Sequence, residues 1–156
     1  MPVIEFKDGS KIGQSQAVMR YLGKCYGYYP KDSLMAAKVD FMVENFIGIS
    51  AKMKEPKGTP EEFAAMEEEL FSKIVPELFK MVTPFCLDKG FLMGDKLTIA
   101  DFWVGAFYTN KMNNPLSYCP EKWAKAKLDY PAFTAYGERF TKENAPYLSK
   151  RPQLKD

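Results

Sequence analysis

One segment constrains the fold more than any other. Thr98-Ile99-Ala100-Asp101 is followed by Phe102, Trp103, Ala106 and Phe107. Ile99, Phe102, Trp103, Ala106 and Phe107 stand at i, i+3, i+4, i+7 and i+8, an apolar face too broad for a helix packed on one side. Such a helix must be enclosed, so the rest of the chain has to wrap around it. Thr98 is placed to cap it, and Asp101, three residues on, to bond back to the cap. Both are read as structural.

The remaining sequence supplies the wrapping. Asp32 can cap a helix running to about Lys54, whose Met35, Val39, Met42, Phe46, Ile49 and Met53 step by three and four residues and form a seam for another helix. Thr59-Pro60-Glu61-Glu62 combines a cap, a proline at the first helical position and a glutamate three residues after the cap. The helix it opens carries Phe63, Met66, Leu70, Ile74 and Leu78; Pro76 should kink it, and it resumes as far as Val82. A short helix is expected over 120–127, and another from Pro131 with Phe133, Tyr136 and Phe140 on one face. A last turn begins at Pro146, and Arg151-Pro152 ends it.

Ahead of these lie Val3-Ile4-Glu5-Phe6, an Asp8-Gly9 turn and a short return strand over 11–13, a hairpin pattern. Ser15 is a good cap for the next helix, with Val18, Tyr21, Leu22 and Cys25 at helical spacing and Gly27 as its stop. One small hairpin and six or seven helices result, a mostly α chain.

Composition removes several function classes. Lysines and arginines number 22 against 20 acids, a net charge of +2 with no basic run, so no nucleic-acid partner is expected. The longest apolar stretch, 102–107, is far short of a membrane span. Three scattered cysteines and no secretory leader pattern read as a reduced, cytoplasmic protein. The chain has no histidine, which removes Ser-His and Cys-His catalysis and His-bearing zinc sites, and no metal site is expected. Cys25, on an apolar stripe, reads as an inert core thiol; Cys86 and Cys119 fall near loops.

Two motifs carry a family resemblance. Met1-Pro2-Val3-Ile4-Glu5-Phe6, followed by Gly13-Gln14-Ser15-Gln16-Ala17-Val18-Met19-Arg20-Tyr21-Leu22, resembles the glutathione-binding half of a cytosolic glutathione transferase. Gly94-Asp95-Lys96-Leu97-Thr98-Ile99-Ala100-Asp101 resembles that family's helix-capping motif. The ending, Tyr130-Pro131-Ala132-Phe133 and then Tyr147-Leu148 to Arg151-Pro152, fits as well, so the likeness covers the whole chain. Its flavour is closest to the tyrosine-using, sigma-like classes.

The resemblance implies the C-terminal half of a thioredoxin-like domain over 1–28, a hairpin plus a helix, followed by an all-helical C-terminal domain over 31–156. The family's first strand, first helix and second strand would precede Pro2. They carry the Tyr, Ser or Cys that activates the glutathione thiol, so no catalytic residue is assigned in this chain.

The resemblance also implies a glutathione site. Pro2 matches the proline the family holds cis, turning the Val3 backbone toward glutathione; trimming of Met1 would remove that bond. Gln14 and Ser15 match the pair that receives the γ-glutamyl end. The physics agrees, because a helix N-terminus offers free N–H groups and a positive dipole end to a carboxylate, although Ser15 as a simple cap remains open. On the long helix, Asp40 and Glu44 are candidates for the carboxylate donated across the dimer axis, or else solvated positions; Gly48 stands where that carboxylate is expected. Phe46, Met53, Trp103, Phe107 and Tyr108 are either core or the lining of a pocket for an apolar electrophile.

The implied partners are glutathione, such an electrophile and a second copy in a homodimer. The implied activity is conjugation, or a lipid isomerase or peroxidase variant, once the thiol-activating segment is supplied. The alternative is a non-catalytic scaffold or dimerisation module.

Overall fold

A computed structural model describes residues 2–152. The hairpin forms, with strands shorter than the sequence suggests: β1, Ile4–Glu5, pairs antiparallel with β2, Lys11–Ile12, in the register Ile4 to Ile12 and Glu5 to Lys11. Gly9 takes a positive φ of 84°, and the Asp8 carboxylate accepts from the Ser10 amide at 2.9 Å and its hydroxyl at 2.7 Å, which closes the turn.

The first helix, α1, spans Ser15–Tyr26 and stops at Gly27, whose φ of 81° is the left-handed conformation glycine tolerates best. Ser15 is its first helical residue and not its cap; Gln14 holds the cap position. The second, α2, spans Ser33–Ser50 and is capped by Asp32, which accepts from the Met35 amide at 2.8 Å. It ends before Lys54, and residues 51–53 continue as turns. Val39, Met42 and Phe46 of its seam are buried.

Pro60–Glu69 forms α3, with the full capping box. The Thr59 hydroxyl accepts from Glu62 N at 3.3 Å, and the Glu62 carboxylate accepts from Thr59 N at 2.8 Å. The interruption expected at Pro76 takes a specific form. A π-helical turn, Leu70–Ile74, inserts an extra residue before α4, Val75–Val82, and Pro76, which has no amide to donate, follows directly after it as the second residue of α4.

The central helix, α5, spans Ile99–Phe107 and runs into a second π-helical turn, Tyr108–Met112. Pro120–Asp129 forms α6, Pro131–Glu143 α7 and Ala145–Leu148 α8. Packing against α2, α7 and α1, α5 is enclosed as the sequence demands. Its burial is not the stripe the spacing predicts. Ile99, Ala100, Val104 and Phe107 are sealed, whereas Phe102, Trp103 and Ala106 keep partial exposure.

The core between α2, α4, α5, α6 and α7 is aromatic. Phe107 meets Phe46 at 5.9 Å and Trp123 at 5.6 Å, and Phe79 meets Phe133 at 4.8 Å, all edge-on, the preferred geometry of ring quadrupoles.

Candidate functional site

The Gly13-Gln14-Ser15 segment carries one of the two positive-φ non-glycine residues among the described residues, the other being Cys119. Gln14 has φ 68° and ψ 120°, a conformation that costs a side-chain-bearing residue about 1–3 kcal/mol and collects at functional sites. No side chain caps α1, and its first turn holds no acid. The amide end of the helix therefore presents an uncompensated partial positive charge.

Gln14 and Ser15 are exposed beside it, and so are Pro2 and Val3. A Cβ built on Gly13 would lie 3.9 Å from Val3 Cγ2 and 4.0 Å from the Pro2 carbonyl oxygen, so the hairpin brings Pro2 and Val3 against the residue preceding Gln14. The Met1–Pro2 peptide bond lies outside the described residues.

From the same helix, Arg20 reaches across to α2. Its Nε donates to Asp40 Oδ1 at 2.7 Å and its second nitrogen to Glu44 Oε1 at 2.6 Å, while the Tyr29 hydroxyl donates to Asp40 Oδ2 at 2.7 Å. These bonds hold the Arg20 guanidinium above its ordinary pKa; partial burial, then Asp40, raises that of Tyr29. Asp40 and Glu44 are thus both paired to their own chain's α1, Asp40 partly buried and Glu44 on the exposed side of α2. A pair of acids four residues apart on α2 was the one sequence signal for this link, but nothing in the pattern pointed it at Arg20.

At the start of α5, Asp101 is fully buried. Its carboxylate accepts from Leu92 N at 2.9 Å, Thr98 N at 2.8 Å, the Thr98 hydroxyl at 3.0 Å and the Tyr136 hydroxyl at 3.2 Å. Burial pushes this carboxyl up, and the four donated bonds pull it back. The Ile99 amide is met by the Tyr28 carbonyl at 2.9 Å, which ties the tail of α1 to the central helix.

The aromatic candidates for an electrophile pocket divide. Phe46, Phe107 and Tyr108 are sealed core at 3%, 8% and 1% exposure, and Met53 and Trp103 are half-buried against that core. The open apolar space lies elsewhere. A groove of about 440 Å³ separates Met19, Leu22 and Tyr26 of α1 from Phe102 and Ala106 of α5, with Phe140 of α7 on its floor. It follows the partly exposed side of α5, which a search for the apolar stripe cannot distinguish from a packed side. Cys25 is exposed on α1 and not in the core; Cys86 is buried. Among the described residues no helix is long and apolar enough to cross a membrane.

Comparison with known proteins matches this architecture. Residues 48–151 match the family model described as glutathione S-transferase, C-terminal domain. Glutathione S-transferase 2 of Manduca sexta is 37% identical over 117 residues, covering 72% of this chain and 57% of that protein. The chain thus aligns with little more than half of that relative's length. S-crystallin 2 of Octopus vulgaris is 25% identical, covering 97% of this chain and 74% of its own.

Among solved structures, Na-GST-3 of the hookworm Necator americanus, described as monomeric, superposes with a TM-score of 0.80 at 23% identity, covering all of this chain and 76% of that one. Rat hPGDS in complex with a quinoline superposes at 0.78 and 22%, covering all of this chain and 75% of that one. These structural likenesses fix the fold. With the match over 48–151 added to it, the chain belongs to the glutathione S-transferase family.

Proposed function

We propose that this chain binds glutathione at the surface formed by Pro2, Val3, Gln14 and Ser15, and that it works as a glutathione transferase when a thiol-activating hydroxyl or thiol is supplied. One observation carries the reading: Gln14 holds a costly positive φ at the uncapped, acid-free N-terminus of α1. Strain of this kind is retained where it aims groups at a ligand. The helix end and the Ser15 hydroxyl would take a carboxylate, the Gln14 side chain both donates and accepts, and the Val3 backbone at the hairpin end would pair with a peptide. Glutathione offers both a carboxylate and peptide groups.

The chemistry proposed is addition of the glutathione thiolate to an apolar electrophile. In the same reading residues 1–28 form the glutathione-binding part and 31–156 the helical part of a cytoplasmic homodimer. Leu34 and Phe41, one face of α2 and 66% and 56% exposed, are consistent with a second copy there.

Calorimetric titration with reduced glutathione tests the binding step without requiring turnover. The expected result is saturable binding that Ser15→Ala weakens by about tenfold, the scale of a hydrogen bond to a charged group. Absence of heat at millimolar glutathione from a folded protein would overturn the reading.

A further inference from the structure

The chain contains two Thr-Pro dipeptides, Thr59-Pro60 and Thr83-Pro84, and no Ser-Pro. They are alike in sequence, and the fold separates them. We propose that Thr59 is a phosphoacceptor for a proline-directed protein kinase, and that the phosphate displaces one half of the α3 capping box. None of the four residues assigned to glutathione takes part, so the two readings stand or fall separately.

Exposure and backbone decide between the two. Thr83 follows α4 in a helical conformation, φ −54° and ψ −37°, and its hydroxyl oxygen is buried. Thr59 takes φ −65° and ψ 163°, the extended conformation that a following proline imposes. Every residue from 57 to 65 is exposed. Pro60 has no amide hydrogen, so a kinase pocket that reads proline by this missing donor meets it at the surface. No residue of α3 is buried, so its first turn opens at little cost to lie extended in a kinase cleft.

In the transfer, Thr59 Oγ1 attacks the γ-phosphorus of a magnesium-bound nucleoside triphosphate. The Oγ1–P bond forms, the bond to the bridging oxygen breaks, and the diphosphate leaves with that electron pair. The hydroxyl proton passes to the kinase's catalytic carboxylate. The product carries a charge of about −1.5 to −2 beside the helix end. Before modification the Thr59 hydroxyl accepts from Glu62 N at 3.3 Å, and the Glu62 carboxylate accepts from Thr59 N at 2.8 Å. That carboxylate is folded back so far that a Cβ on Gly58 would overlap Glu62 Oε2. A phosphate on Thr59 Oγ1 crowds it with like charge, and Glu61 in the same turn adds to the repulsion. The phosphate keeps the role of acceptor toward Glu62 N, where the helix end favours an anion. The Glu62 side chain swings outward, and Thr59 N is released to water.

Incubation of the folded protein with magnesium ATP and a cyclin-dependent kinase, followed by mass mapping of its peptides, reads the acceptor. One phosphate is expected on Thr59 and none on Thr83. Thr59→Ser should be modified in the same way, and Pro60→Ala should lose the modification while leaving the hydroxyl in place. No phosphate on Thr59, equal labelling of Thr83, or indifference to Pro60→Ala would overturn the assignment. Amide exchange followed by NMR reads the cap. The Thr59 amide should exchange faster after phosphorylation, while the Glu62 amide keeps its protection. In Glu62→Gln, whose neutral side chain is not repelled, the Thr59 amide should stay protected in both forms. A phosphorylated wild type in which the Thr59 amide exchanges as before would overturn the displacement of Glu62.

Discussion

Arg20 on α1 and Asp40 on α2 are joined by a 2.7 Å bond between Nε and Oδ1, so the helix that presents Gln14 and Ser15 is fastened to the helical layer by charge as well as by packing. Both side chains are about one-third exposed, which limits the strength of the pair. Arg20→Met should cost about 1 kcal/mol in a urea melt, the upper end for a partly exposed pair. Because the link lies within one chain, the loss should not depend on protein concentration. A loss that grows on dilution would show that Arg20 acts between subunits instead.

The Asp101 carboxylate is worth more. Asp101→Ala would leave the amides of Leu92 and Thr98 buried without their acceptor, and the Tyr136 hydroxyl with only its 3.4 Å bond to the Asp101 carbonyl. The expected loss is about 3–5 kcal/mol, the range for breaking a buried charged network. Thr98→Ala, which removes a single hydroxyl from the same cluster, should cost about 1 kcal/mol. Thermal or urea melts that rank the two variants the other way would refute this account of the start of α5.

Close packing of α7 gives a third expectation. A Cβ on Gly137 would enter the ring of Tyr108, which is 1% exposed and cannot move aside. Gly137→Ala should therefore destabilise by about 1–3 kcal/mol, although alanine is the better helix former. At Gly48 nothing lies within 4 Å of the added Cβ. Gly48→Ala should stabilise α2 by about 0.5–1 kcal/mol. Paired melts of the two variants should thus move in opposite directions.

Alkaline pH should unfold the protein. Burial pushes the Cys86 and Cys119 thiols and the Tyr108 hydroxyl up to about 12, and raises Tyr136 as well. The unfolded chain loses these protons from about pH 8.5 to 10. In that window the native state binds more protons than the unfolded state, so stability falls as pH rises. The melting temperature should decline steadily between about pH 9 and 12, and Cys86→Ser or Tyr108→Phe should flatten part of that slope. A flat profile in this range would contradict the burial of these groups.

What could be read in advance was what local chemistry decides. Asp32, Thr59 and Thr98 each announce a helix start because a cap acts within three residues of itself, and all three take that position. Gly27 ends α1 for an equally local reason. The two π-helical turns carry no such signature, since an extra residue in a helix is set by what packs against it. Ser15 looked like a cap because its residue type suits one; Gln14, with its positive φ, holds that position instead. The groove escaped for a different reason. Phe102 and Ala106 share the apolar character of Ile99 and Phe107, and only the placement of α1 leaves their side open.

The cluster at Asp101 also ties distant parts of the bundle together. One carboxylate collects donors from Leu92, Thr98 and Tyr136, the last of them 35 residues downstream. Until α7 arrives, the acid at the head of α5 lacks the Tyr136 donor and the covering that excludes water. Docking of α7 therefore completes the set of donors around a charge held in the interior. A chain built in this way has little reason to populate a half-formed bundle, and its helices should melt together, with the Asp101 region among the last to exchange its amide protons.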